Sequence, residues 1–268
     1  MGAPIRRAGA PAIMPKGAAF VESGGRKRCV RLSFLRRRRK YGIEATMFDS
    51  SIAAKISHLT VAFLPVLLGI ILHEVAHGWA ALRCGDPTAR MLGRLTLNPV
   101  PHIDPVGLGV FAFTAMFTPF VFGWAKPVPV NPRLFRNYRR GMLLVSAAGP
   151  LTNMLLAMTF AALLRLLLFA PADFLVNTAP GEFLLRMCQV GIAANFTLAW
   201  INLLPIPPLD GGHILEILLP GQIALQFQRL ERYGFLLLVL LIASGALSAV
   251  LMPLIRGSWS FALWVFGI

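Results

Sequence analysis

Charge is what this sequence has least of: only 14% of its 268 residues are Asp, Glu, Lys or Arg. A soluble domain carries roughly 25%. Acidic residues are scarcest, 11 against 26 Lys and Arg. Cysteine is scarce too. Cys29, Cys84 and Cys188 lie far apart and form no CxxC pair. That excludes a disulfide framework and a thiolate zinc site. The alternating apolar and polar pattern of membrane barrel strands is missing as well, which excludes a barrel.

Long apolar runs are present instead. The hydrophobic share is 56% and the mean hydropathy is +0.68. A helix needs about 20 apolar residues to cross a bilayer. Runs of that kind occupy about 59–82, 142–169, 183–204 and 235–255, while the apolar residues 259–268 are too few to cross alone. Only helices and closed barrels satisfy backbone polar groups in lipid. The expectation is therefore an all-α polytopic membrane protein of about 4–6 transmembrane helices.

The net charge of +15 is unevenly placed. Residues 1–46 hold twelve Lys or Arg and two Glu, a net of +10, including Arg36-Arg37-Arg38-Arg39-Lys40. A tail so rich in Gly, Pro and Arg reads as disordered and solvated. Concentration of the surplus there argues against a specific nucleic-acid surface; what remains is non-specific attraction to anionic lipid or nucleic acid. No short apolar region with a cleavage site follows it, so it is not a signal peptide. Lys and Arg mark cytoplasmic loops. They place 83–94, 126–140 and 229–232 inside, and the loop 170–182, which has none, outside. The basic tail would then fall outside, against the charge rule. A start at Met47 removes that conflict, leaving 47–268 as a single membrane-embedded domain.

For both faces of this topology to agree, the run 106–124 must begin and end on one side. Gly107, Gly109 and Pro119 permit such a re-entrant segment. Before it, Arg90 to Asn98 alternates apolar and polar residues as a short strand does. That strand is a candidate edge for pairing with an extended substrate. After it, Lys126-Pro-Val-Pro-Val-Asn-Pro132 has too many prolines to be helical.

The chemistry lies in His73-Glu74-Val-Ala-His77. On a helix, residues four apart share a face, so both imidazoles reach one ion with Glu74 beside it as a base. Zinc accepts imidazole ligands in tetrahedral geometry. Ionisable groups inside an apolar span are costly and usually functional. A catalytic zinc site has three protein ligands and an open position. Asp210, between Pro207-Pro208 and Gly211-Gly212, is the candidate third ligand; its alternative role is to cap the helix that follows. His102 and Asp104 read most simply as parts of a turn-rich loop, and His213 as a residue that orients Asp210 or faces water.

These motifs carry a resemblance. HEVAH at 73–77, Gly149-Pro-Leu-Thr-Asn153 and Asn202-Leu-Leu-Pro-Ile-Pro-Pro-Leu-Asp-Gly-Gly212 occur in the order found in the site-2 protease family of intramembrane zinc metalloproteases. Gly85-Asp-Pro-Thr-Ala-Arg90, Asn98 to Pro105 and Gly123 to Pro132 resemble its short bacterial branch, and no segment has the length or polarity of a PDZ module. The resemblance covers about 59–220. It implies one Zn2+ per chain, held by His73, His77 and Asp210, with Glu74 as general base and Asn153 as the leading candidate oxyanion donor; Asn202 is the second candidate, and its alternative role is an interhelical hydrogen bond. It implies an endopeptidase whose membrane-anchored substrates are cut within or beside the bilayer, in the cell membrane, with the active site toward the cytoplasm. No oligomeric state follows. A metal carrier or scaffold would need the ligands but no base, so Glu74 separates the two readings.

Overall fold

A computed structural model describes residues 18–23, 26–31, 52–117 and 123–268. The chain divides into two units, Met1–Ile56 and Ser57–Ile268. In the first, strands β1 (Ala18–Ser23) and β2 (Arg26–Arg31) pair antiparallel, Ala18 opposite Arg31 and Ser23 opposite Arg26. Most of the basic tail lies outside the described residues.

The second unit is helical, and its described residues hold no strand. The helices are α1 (Ile52–Cys84), α2 (Thr88–Met91), α3 (Pro105–Phe117), α4 (Tyr138–Leu167), α5 (Ala172–Asn177), α6 (Ala179–Asn202), α7 (Asp210–Leu218), α8 (Gly221–Gln228), α9 (Glu231–Ala243) and α10 (Ala246–Val265). Among the described residues, four stretches are long and apolar enough to span a membrane: Ile56–Cys84, Tyr138–Leu167, Ala179–Asn202 and Ala246–Val265. This chain is a membrane protein. Large apolar side chains such as Phe63, Leu151, Leu155, Leu166 and Trp264 are exposed, which suits faces turned to lipid and not to water.

Helix boundaries follow local chemistry. Asn137 caps α4 by accepting the Arg140 N–H, and Thr178 caps α6 by accepting that of Gly181. α4 and α6 pack along one another, and the start of α7 returns against α4. Their core is Ala157, Phe160, Ala161 and Leu164 of α4 with Cys188, Ile192 and Phe196 of α6, closed by Ala262 of α10. Small residues let these helices approach closely, as lipid-embedded packing requires.

Three expectations meet the structure differently. The run after His102 is re-entrant: α3 leaves from Pro105, and the chain comes back with the Trp124 carbonyl packed on Gly107, where a Cβ would lie 2.2 Å from it. The Lys126 N–H then bonds the His102 carbonyl at 2.8 Å. The strand expected at 90–98 is not formed. Residues 88–91 are α2 and 92–98 are turns, bends and irregular chain; just before them Asp86 closes an Asx turn by accepting hydrogen bonds from both the N–H and the hydroxyl of Thr88. Strand addition along 90–98 is accordingly withdrawn. The span expected at 235–255 is divided: α9 stops at Ala243, Gly245 adopts φ +75°, and the spanning helix is Ala246–Val265. A left-handed glycine ends a helix however apolar its neighbours are.

Candidate metal centre

His73, Glu74 and His77 lie in the second half of α1. His73 is buried, and its Nδ1–H donates to Asn153 Oδ1 at 2.6 Å. The orientation of that amide is set independently, because Asn153 Nδ2 donates to the Gly69 carbonyl at 3.0 Å and to Asn195 Oδ1 at 3.0 Å. His77 Nδ1–H donates to the Val145 carbonyl at 2.8 Å. Both partners only accept, so both Nδ1 atoms carry the proton, and each Nε2 of a neutral ring presents a lone pair.

Those lone pairs face each other. The two Nε2 atoms are 2.9 Å apart, with the rings at 84°. Asp210 completes the group from the first turn of α7: its Oδ2 is 3.2 Å from His73 Nε2 and its Oδ1 is 3.4 Å from His77 Nε2. With both rings neutral, two lone pairs and a carboxylate converging this closely repel one another unless a proton or a metal cation lies between them. Asp210 Oδ2 is buried and accepts no hydrogen bond. The donor set of two imidazoles and one carboxylate, all within 4.8 Å, is that of a three-ligand zinc site. Among the described residues this is the one such group of His, Cys, Asp and Glu.

Two glycine-containing motifs make room for it. A Cβ at Gly149 would lie 2.5 Å from His73 Cε1 and from His77 Nε2, so the imidazoles rest directly on the α4 backbone. Asn153, one turn on, faces the same side. Gly211 packs on the carbonyls of Leu203 and Leu204, where a Cβ would come within 2.4 Å of both; this folds the start of α7 back on the end of α6 and brings Asp210 to the histidines.

The remaining predicted residues are placed as follows. Glu74 Oε2 accepts the Val128 N–H at 2.7 Å. Asn153 is fully buried; its Oδ1 accepts the His73 Nδ1–H, and both of its own N–H hydrogens have acceptors. Asn202 donates to the Leu198 carbonyl of its own helix, and its side chain makes no hydrogen bond to the cluster. His102 is buried with Nε2–H on the Thr96 carbonyl, Asp104 caps α3 through the N–H groups of Val106 and Gly107, and His213 stands beside Glu216. None of these three joins the metal group.

One residue escaped sequence reading. Asn195, fully buried in α6, accepts from Asn153 and donates to the Gly191 carbonyl at 2.8 Å. An asparagine amid apolar residues of a span was the available signal.

Asp86, outside the spans, is a buried carboxylate. Burial raises its pKa, but the Thr88 hydroxyl and the N–H groups of Asn131 and Thr88 outweigh that and hold it below the usual value.

Comparison with known proteins agrees with this geometry. The profile of peptidase family M50 matches residues 174–242. “Putative zinc metalloprotease YwhC” of Bacillus subtilis is 36% identical over 79% of this chain and 93% of its own length. The chain belongs to peptidase family M50. Two mycobacterial relatives share the name “Putative zinc metalloprotease Rip2”. That of Mycolicibacterium smegmatis is 31% identical over 73% of this chain and 71% of its own; that of Mycobacterium tuberculosis is 37% identical over 56% and 54%. No solved structure gives a significant match. As an M50 member the protein is a zinc metalloprotease.

Proposed function

We propose that this M50 protease is an endopeptidase that cuts membrane-anchored proteins within or next to their spanning segments, with its catalytic centre toward the cytoplasm. The observation that carries the reading is the convergence of His73, His77 and Asp210, from a membrane-spanning helix and a distant short one, on a single point.

In this reading those three side chains hold the ion. Zinc, when bound, supplies a Lewis acid that activates water and polarises a peptide carbonyl. Asn153 and the Val145 carbonyl fix the tautomer and direction of the two imidazoles. Glu74 takes the proton that water loses as its oxygen bonds to the carbonyl carbon. It delivers that proton to the amine as the C–N bond breaks. A substrate helix must unwind locally, since its carbonyls are otherwise engaged within the helix. The basic loops at 83–94 and 126–140 support the cytoplasmic side, and the cell membrane is the proposed location.

Reconstitution with single-span candidate proteins tests the proposal. Wild-type protein should cleave them, and Glu74→Gln should retain zinc while losing roughly 10²–10⁴-fold in turnover. Undiminished cleavage by Glu74→Gln would remove the hydrolytic role of that carboxylate.

A further inference from the structure

The stretch 85–104 buries three polar residues that take no part in the metal group: Asp86 at 0% exposure, Arg94 at 9% and His102 at 2%. All three hold the same piece of chain, the extended segment 126–131. Arg94 Nη2 donates to the carbonyls of Lys126 at 2.8 Å and Pro127 at 3.2 Å. The His102 carbonyl accepts the Lys126 N–H. Asp86 accepts the Asn131 N–H at 2.6 Å. The segment is thus pinned at both ends, and Pro127 and Pro129 keep it extended between them.

What lies under its middle is the face of α1 that carries Glu74. Val128 is buried, and a Cβ on Gly78 would come within 2.9 Å of its side chain. Glu74 and Gly78 are four residues apart and share that face. Val128 therefore sits on Gly78 with its side chain and on Glu74 with its N–H. The bond takes Oε2 alone; among the described residues no hydrogen bond reaches Oε1. A flexible carboxylate is held by one oxygen while the other stays available for a proton.

We propose that Asp86 and Arg94 are positioning residues for the reaction: they hold the strap 126–131 in the place from which the Val128 N–H orients Glu74. This rests on Glu74 acting as the general base. Partners that orient metal-ligating side chains change affinity or activity by about 10–100-fold when removed, and the same scale is expected for the support of Glu74. The effect belongs on kcat, because zinc is held by other residues.

The test uses the full-length zinc protein, labelled with 15N-valine, in detergent. Turnover, KM, zinc content and deuterium exchange of the Val128 amide are read together, the resonance being assigned with Val128→Ile. Arg94→Met should lower kcat about 10–100-fold, leave KM and zinc content unchanged and speed exchange at Val128. Arg94→Lys, whose single nitrogen can also reach both carbonyls, should restore kcat and exchange. Asp86→Ala removes both acceptor oxygens, releases the other end of the strap and should act like Arg94→Met. Wild-type kcat in Arg94→Met and Asp86→Ala, with Glu74→Gln inactive, overturns the strap's role and leaves the base assignment standing. Full activity of Glu74→Gln overturns both. Loss of zinc in parallel with kcat in both strap variants also overturns positioning, since the segment would then merely support the fold.

Discussion

His73 and Glu74 are neighbours in sequence, yet different parts of the molecule hold them. The imidazole is fixed through the helix bundle: its Nδ1–H bonds Asn153 of α4, which bonds Asn195 of α6, and both amides are fully buried. The carboxylate is fixed by a backbone N–H from an irregular segment outside the bundle. Helix-borne side chains packed at 0% exposure cannot shift without disturbing the core. A strap pinned by a few hydrogen bonds yields more readily. In the proposed reading the difference separates two tasks: metal retention would rest on the spans, and proton handling on the loop between them.

The contrast can be broken first on the bundle side. Asp210→Ala removes one of three ligands, so zinc affinity should fall by roughly 10²-fold or more, with proteolysis lost alongside. Zinc titration in detergent measures this. Asn153→Leu leaves the His73 Nδ1–H without an acceptor; about 10–100-fold should be lost from zinc affinity or activity. Full retention of both would place the orientation of His73 elsewhere. Asn195→Leu acts one bond further out and should give a smaller loss in the same direction, through a less constrained Asn153.

On the loop side the expected effect is on stability and its pH dependence. Asp86 has a depressed folded-state pKa, so its ionised form stabilises the fold above the unfolded value of 3.8. That contribution disappears as pH falls through the lower folded value. Thermal unfolding followed from pH 7 down to about pH 3 should show wild type losing stability along this limb. Asp86→Asn should be less stable at neutral pH by about 1–3 kcal/mol, the scale of hydrogen bonds to a buried charged group. It should also have a flatter acid limb. A parallel pair of curves would show that the hydrogen bonds to Asp86 contribute no linkage.

The residues of the proposed metal group stood out in the sequence because each sits in a composition that penalises it: histidines and a glutamate in an apolar span, an aspartate between prolines and glycines. The membrane class was readable for the same reason. Less was readable where the outcome depends on tertiary partners. Arg90 to Asn98 alternates like a strand, but residues 88–91 form a short helix and Arg94 turns inward to the strap. The break at Gly245 was hidden by the continuity of the apolar run on both sides of it. Asn153 was matched to an oxyanion role by motif, whereas its position one turn after Gly149 puts it beneath His73. Spacing in a motif shows that side chains share a face; it does not show which atom of a neighbour each one meets.

The central claim concerns one ion and three side chains, and zinc K-edge X-ray absorption on the purified protein tests it most directly. The account predicts a shell with two imidazole nitrogens at about 2.0–2.1 Å, at least one carboxylate oxygen at about 2.0–2.2 Å and no sulfur. In Asp210→Ala the carboxylate contribution should vanish. A sulfur scatterer near 2.3 Å, or a shell unchanged by Asp210→Ala, would contradict it.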